Sequence, residues 1–417
     1  MACQLSIMTL ADNPASNALN YPRFVKHLAA LSAHGFASQI MVVAVGWQIY
    51  DITRDPWDLG LIGLSQFLPA LLLVLVTGLV ADRFNRRLIL GLCLLLEVTV
   101  ALGLVFFTLS NPADVTPVFG LLALLGLARA FLNPASDALS PNLLSREAIP
   151  HGISLNSLNW QITSIVGPVL GGLLYGFGGH VAYSVAAGLL VLSVFLVTLI
   201  GRVPQENHVE ETTIHTLLAG FRFIKSEPIV LGAISLDLFA VLLGGAFALM
   251  PIYARDILQV GELGLGMLRS APGVGAVIMA IWLAKLGIKD HAGKILFWCV
   301  AGFGLFTIIF GFSTYVPLSV FALAMMGAFD MVSVFVRETL MQLWTRDDVR
   351  GRVNAVNRVF IGASNELGEF RAGAVAAQFG AITAVVVGGA GTMAVAGLWS
   401  WMFPALRKAR KMEGRQL

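Results

Sequence analysis

Long apolar runs, each closed by a short polar break, repeat along the entire chain. A helix that crosses a bilayer needs about 20 mostly apolar residues. The runs predict twelve such spans, over 26–50, 57–81, 88–109, 117–141, 153–177, 181–201, 228–253, 264–286, 293–313, 316–342, 353–379 and 382–404. The longest break, 202–227, holds GRVPQENHVEETT and then an amphipathic piece, HTLLAGFRFIKS, and it divides the spans into two sets of six. The pattern predicts an all-α membrane protein: a tail over 1–22, a six-helix half over 23–201, a linker over 202–227, a second half over 228–404 and a basic tail over 405–417.

Composition agrees. The 417 residues are 57% hydrophobic and 12% charged, with a mean hydropathy of +0.81, whereas a soluble domain is roughly a quarter charged. A net charge of +3 is too small to argue for nucleic acid. Cys3, Cys93 and Cys299 are far apart and show no metal or redox spacing. No basic residue precedes an apolar core in MACQLSIMTLADNPASNALNYP, which argues against a cleaved signal peptide. No G-x-x-x-x-G-K-[ST] phosphate loop, metal motif or Ser/His/Asp set points to ATP, a cofactor or an enzyme.

Charge sets the expected orientation. With both termini inside, 21 of the 27 Lys and Arg residues fall on the cytosolic side. Arg54, Arg255 and Arg269 fall outside, and Arg129, Arg337 and Arg371 lie within spans. Such a bias is the positive-inside signature. The halves also resemble each other. LLSREAIPHGISLNSLN (143–159) leads into span five, and LWTRDDVRGRVNAVN (343–357) leads into span eleven, the pattern of parallel repeats.

Several ionisable residues interrupt the spans. SNELGEFRAG (364–373) places Glu366, Glu369 and Arg371 together in span eleven. Glu97 lies in span three, Asp237 in span seven, and Asp330 and Arg337 in span ten. Each charge at a helix centre costs about 2.5–3.5 kcal/mol on the insertion scale, so these groups must pair or face water. Helical spacing groups them. Asn354, Arg358, Asn365 and Glu369 form one stripe, with Glu366 beside it. Asn156, Asn159 and Thr163 share a face on span five next to Trp160, and His27, His34 and Ser38 share one on span one. A desolvated carboxylate can take up a proton, so Asp237, Glu366, Glu369 and Asp330 are candidates for proton coupling. The alternative for the glutamates is a fixed salt bridge with Arg337 or Arg371. Asp237 has no base within a turn on its own helix, and Glu97 has no evident role.

The loop after span two, GLVADRFNRR (78–87), sets Asp82 among Arg83, Arg86 and Arg87, within expected reach of Arg350 and Arg352 at the start of span eleven. This arrangement reads as a conformational latch. In GPVLGG (167–172), Pro168 removes a helical hydrogen bond while Gly167, Gly171 and Gly172 allow close approach of another helix, as in a packing hinge.

GLVADRFNRR resembles the loop signature of the major facilitator superfamily, and the resemblance, with two six-span halves, covers essentially the whole chain. LLGLARAFLNPAS places Arg129 where proton-coupled members keep an intramembrane arginine, and GPVLGG is similar to the antiporter signature, with Thr163 where a further glycine would stand. HTLLAGFRF, LDLFAVLLGG and SNELGEFRAG resemble a bacterial efflux branch. The resemblance implies a cavity lined by spans one, four, seven and ten, with spans two, five, eight and eleven beside them. It adds His34, Ser38, Asn156, Asn159, Trp160, Arg337, Asn354, Arg358 and Asn365 as cavity candidates. It also implies a monomeric, proton-coupled exporter of a drug-like compound or siderophore in the bacterial inner membrane, with lipid, protons and a small organic substrate as its partners. A uniporter or importer on the same fold, or a membrane receptor or assembly subunit that moves nothing, is the alternative.

Overall fold

The structure is a computed structural model that describes residues 16–201, 203, 214–288, 290–346 and 349–409; the side chains of 74–75, 78–79, 81–82 and 214–219 lie outside the described set. Among the described residues every regular element is helical. In chain order these are α1 (Pro22–Thr53), α2 (Pro56–Arg83), α3 (Arg86–Leu109), α4 (Thr116–Asn142), α5 (Ile149–Gly176) and α6 (Gly179–Thr198). The linker helix α7 (Ile214–Ser226) is followed by α8 (Pro228–Gly244), α9 (Gly261–Leu286), α10 (Ala292–Phe312), α11 (Val316–Trp344), α12 (Arg350–Phe379), α13 (Ala381–Met402) and a short α14 (Pro404–Lys408).

Ten of these segments are long and apolar enough to cross a membrane. The helices α5 and α12 are as long but are not among the ten. They carry the two Asn-x-x-Asn stretches and the SNELGEFRAG run. The chain is a multi-pass integral membrane protein.

The helices look apolar on every side because lipid, rather than water, is their outer neighbour. On α3 the buried stripe is Leu90, Cys93, Leu94, Glu97, Ala101 and Leu104, while Leu88, Leu92, Leu95, Leu102 and Phe106 are exposed. The start of α3 is fixed by Asn85, whose side-chain oxygen accepts from the backbone N–H groups of Arg87 and Leu88 at 3.1 and 3.2 Å.

The chain forms two compact units, Met1–Ala44 with Leu68–Glu211, and Val45–Phe67 with Thr212–Leu417. In the first, α3 packs on α4 and α6 around Leu90, Leu94, Leu122, Tyr183 and Leu190. In the second, α10 packs on α13 and α11, and α9 on α11, around Leu236, Leu296, Val336 and Leu340.

Span seven is not the continuous helix that its apolar run predicts. It stops at Gly244 and continues as a 3-10 turn (Phe247–Leu249), a short helical piece (Met250–Ile252) and a π-helical turn (Tyr253–Ile257). The GG pair explains the break. Gly245 takes a non-helical conformation, and a side chain there would come within 2.8 Å of the backbone of Gly368 on α12.

Glycines also set the α9–α11 contact. A side chain on Gly275 would overlap the carbonyl of Ala324, and one on Gly327 that of Pro272. Backbone cannot yield as a rotamer can. Gly275→Leu is expected to destabilise the protein by about 3 kcal/mol or more, the upper end of overpacking costs. Gly188→Leu, on an open face of α6 with nothing within 4 Å, serves as the control. Thermal unfolding in detergent checks the pair, and equal melting temperatures would refute the packing argument.

Candidate functional site

The charges of SNELGEFRAG are distributed to different neighbours by one helix. Gly368 on α12 lets the helix approach the backbone of Val241 and Leu242 on α8; a side chain there would meet the Val241 carbonyl at 2.8 Å. This contact puts Arg371 at the broken end of α8, where its Nε donates to the carbonyl of Leu242 at 3.0 Å and its Nη2 to that of Leu243. Four carbonyls at a helix end lack helical partners, and a guanidinium satisfies two of them here. Two residues earlier, Glu369 interacts electrostatically with Arg269 of α9. A turn before that, the carboxylate of Glu366 lies against Gly63 of α2, 2.7 Å from where a Cβ would stand. Arg269, which the sequence set among the outer charges, thus acts on a carboxylate of another helix.

The pairing of Glu366 or Glu369 with Arg337 or Arg371 that the sequence allowed does not form. Arg371 is occupied by carbonyls, and Arg337 of α11 makes an ion pair with Asp237 of α8. Asp237 is thus not the isolated carboxylate that its own helix suggested; its cation comes from another helix. Arg337 is 4% exposed. On the next residue, Glu338 accepts from Asn357 Nδ2 of α12 at 3.3 Å. Asp330, Asn354, Arg358 and Asn365 are exposed.

The first unit holds its own polar centre. Glu97, fully buried on α3, meets His34 of α1, whose Nε2 lies 3.3 and 3.0 Å from the two carboxylate oxygens. Nε of Arg129, from α4, is 3.8 Å from Glu97, and Nη2 of Arg129 donates to Ser38 Oγ of α1 at 2.7 Å. Nearby on the α1–α5 contact, Ser32 donates to Asn159 at 2.6 Å, and Asn156 donates to Ser140 of α4 at 3.0 Å. Thr163 turns its hydroxyl to carbonyls of its own helix and its methyl toward Gly35, where an added Cβ would stand 2.9 Å away. Trp160 is 67% exposed. Gly167, Pro168, Gly171 and Gly172 are buried, and Gly167 and Gly171 face Gln39, Ile40 and Val43 of α1. His27, one heptad before His34, is buried with neither ring nitrogen hydrogen-bonded among the described residues.

The side chain of Asp82 lies outside the described residues. Its expected arginine partners bind helix-end carbonyls within their own units. Arg86 donates to Ala138 at 3.2 Å, and Arg87 donates to Val197 and Thr198 at 3.1 and 2.8 Å. Arg350 donates to Gln342 and Thr345 at 3.3 and 3.4 Å. Arg83 and Arg352 are exposed.

Sequence reasoning missed a cluster at the end of α1. Tyr50 donates to Asp256, Arg54 lies 3.1 Å from the same carboxylate, and Arg255 pairs with Asp51 and lies 5.2 Å from the Trp47 ring centroid. The signal was present as alternating acid and base in YDITRD (50–55) and ARD (254–256). All of these residues belong to the second unit.

Charged groups paired between helices of a polytopic bundle suit the movement of a solute rather than a reaction at a surface. Solved transporters share the fold. The nucleoside transporter NupG matches with a TM-score of 0.73 over 91% of this chain and 99% of its own, at 13% identity. A D-xylose-proton symporter matches with a TM-score of 0.70 over 95% and 100%, also at 13% identity. These likenesses show the fold. Within it, the model of the transmembrane secretion effector family matches residues 23–415, and the chain belongs to that family. The curated relatives include the enterobactin exporter EntS of Shigella boydii serotype 18 and of Escherichia coli O1:K1. Each is 27% identical over 416 residues, covering 98% of this chain and 96% of the relative. Family and curated relatives are transporters, so the protein is a membrane transporter and not an enzyme.

Proposed function

We propose that the protein is a proton-coupled exporter that moves a small organic molecule, a siderophore or drug-like compound, by alternating access. The observation that carries this reading is the placement of Glu369 within the bundle beside Arg269, next to a broken α8 whose end Arg371 caps. An intramembrane carboxylate beside a cation from another helix can change its proton occupancy when the helices shift. The relatives named as enterobactin exporters support the outward direction and the siderophore class. One charge moved through 100 mV supplies about 2.3 kcal/mol, enough for a roughly 50-fold gradient.

In this reading α5 and α12 also cross the membrane, giving twelve spans in two halves, 23–201 and 228–404, with both termini and the linker in the cytosol of a bacterial inner membrane. Lys and Arg placement supports that sidedness. The transporter acts as a monomer. Glu366 and Glu369 are the carriers favoured in the second unit, while Asp237 and Arg337 hold α8 to α11.

The basic loop around Asp82, Arg83, Arg86 and Arg87 serves as a conformational latch. Asp82→Asn is expected to slow turnover at least several-fold and leave substrate affinity within about two-fold, since uniform binding is untouched when only a transition between states is altered. A large rise in dissociation constant with turnover intact would contradict the latch.

The test of the whole reading is a pH-gradient assay in everted vesicles, challenged with enterobactin, cationic dyes and antibiotics. A compound that dissipates the gradient only when the protein is present supports coupled export. Uptake that persists at the same rate with the gradient collapsed would instead make it a uniporter.

A further inference from the structure

One end of the second unit gathers cations that no carboxylate of the unit answers. The end of α9, the start of α10, the end of α13 and the short α14 meet there, with Leu283, Ala292, Leu296, Val395 and Leu406 in one buried cluster. Backbone contacts fasten α14 to α10. Gly293 donates its N–H to the carbonyl of Ala409 at 3.0 Å. A side chain on Gly293 would overlap the Leu406 carbonyl and stand 3.2 Å from the backbone of Arg407. Leu406 is fully buried, which leaves Arg407 and Lys408 exposed beside Lys294, the next residue of α10 and also exposed. Lys285 is exposed at the end of α9.

The acids of the surrounding elements are absent, distant or engaged. Helices α10, α13 and α14 contain no Asp or Glu, and the carboxylate of α9, Glu262, lies in its first turn at the opposite end. Asp237 of α8 pairs with Arg337, and Glu338 of α11 is bound to Asn357. Asp290 accepts from the backbone N–H of His291 and pairs with that ring at 3.2 Å. Glu227, just ahead of α8, does not pair with these cations. Among the described residues the side chains of Lys285, Lys294, Arg407 and Lys408 make no ion pair or hydrogen bond. Lys26, Arg86, Arg87 and Arg350, by contrast, are spent on backbone carbonyls.

Tryptophans mark this end as the polar boundary of the bilayer. Trp298 lies one turn after Lys294 on the same face of α10 and is 74% exposed. Trp401 ends α13 at 77% exposed, and Trp282 is exposed near the end of α9. Exposed indoles collect at the lipid–water interface. Orientation alone would place basic residues at such an end. It does not require a docked helix that holds them together, unpartnered, beside exposed indoles. We propose that this corner binds the headgroup of an anionic phospholipid, with Lys294, Arg407 and Lys408 on its phosphates and Trp298 beside its glycerol and acyl chains. Cations gathered this closely suit a headgroup with two phosphates, as in cardiolipin, better than one with a single phosphate. The site needs α14 docked on α10, and it rests on no assumption about what the protein transports or in which direction.

Binding is measured on the purified full chain, stripped of lipid in a mild detergent and titrated with cardiolipin, phosphatidylglycerol or phosphatidylcholine. Native mass spectrometry counts the lipid retained. Cardiolipin is expected to bind most tightly and phosphatidylcholine roughly ten-fold more weakly or worse, since the latter carries no net charge for the cations to meet. A Lys or Arg near an anionic surface is worth roughly five-fold in affinity. Lys294→Gln, Arg407→Gln and Lys408→Gln together are therefore expected to weaken cardiolipin binding roughly ten-fold or more. Arg222→Gln with Lys225→Gln removes exposed cations from α7 instead and should leave binding within about two-fold. All of these positions are exposed, so each variant should unfold at the parent's temperature when no lipid is added. Parental affinity in the Lys294, Arg407 and Lys408 variant would overturn the proposal. So would equal weakening in the α7 variant, or equal binding of phosphatidylcholine. Displacement of cardiolipin by millimolar glycerol phosphate would make the ligand a free phosphate and sink the lipid site as well.

Discussion

Arg337→Met is expected to destabilise the protein by about 3–5 kcal/mol, the cost of leaving one member of a buried ion pair alone. The pair joins α8 to α11, with side chains only 5% and 13% exposed for Arg337 and Asp237. Water cannot screen what remains after one partner is removed. Asp237→Asn should cost a similar amount, because it leaves a guanidinium buried without its counter-charge. Asp237→Asn combined with Arg337→Met should recover most of the loss, since buried pairs often contribute little beyond an apolar substitute. Thermal unfolding of the four proteins in one detergent gives the coupling directly. Single variants that melt with the parent would show that the pair opens to water.

The second large effect is on transport. Glu369→Gln should abolish substrate-driven proton movement while leaving the protein folded and able to exchange labelled substrate across the membrane. Exchange of substrate for substrate requires no net proton transfer, so it separates coupling from binding. The isosteric amide keeps the packing against α9 and removes only the titratable charge. Glu366→Gln is the informative companion: its carboxylate is turned to Gly63 of α2 rather than to Arg269, so a smaller loss is expected. A normal gradient response in Glu369→Gln would remove this residue from the coupling path.

What a single helix can encode was legible in the chain. The apolar runs located α1 to α6 and α9 to α13 to within a few residues. The amphipathic stretch before α8 was also readable. The broken span seven was not, although Gly244 and Gly245 stood in plain view, because many membrane helices carry glycine pairs without breaking. The break follows from the approach of Gly368 and from an arginine, Arg371, able to take the freed carbonyls.

Charge pairing divides along the same line. Spacing along one helix gave the stripes: His34 with Ser38, Asn156 with Asn159, Asn365 with Glu369. It could not give the partner of Asp237, which is Arg337, nor that Arg269 of α9 acts on Glu369. Glu97 had no account at all in the sequence, yet it is the centre of a polar group drawn from three helices of the first unit. Its place in the 90, 94, 97, 101, 104 stripe was visible, but in a helix surrounded by lipid and protein alike the stripe does not say which side is buried.

By itself, then, the sequence determined that the chain is a bundle of membrane helices, since burial of the backbone in lipid leaves few alternatives to helix. Only the tertiary structure decided which charges meet, where α8 stops, and that Arg129 stands between Ser38 and Glu97. Those outcomes depend on how closely two backbones approach, a distance fixed by the small residues of both helices together and written on neither one alone.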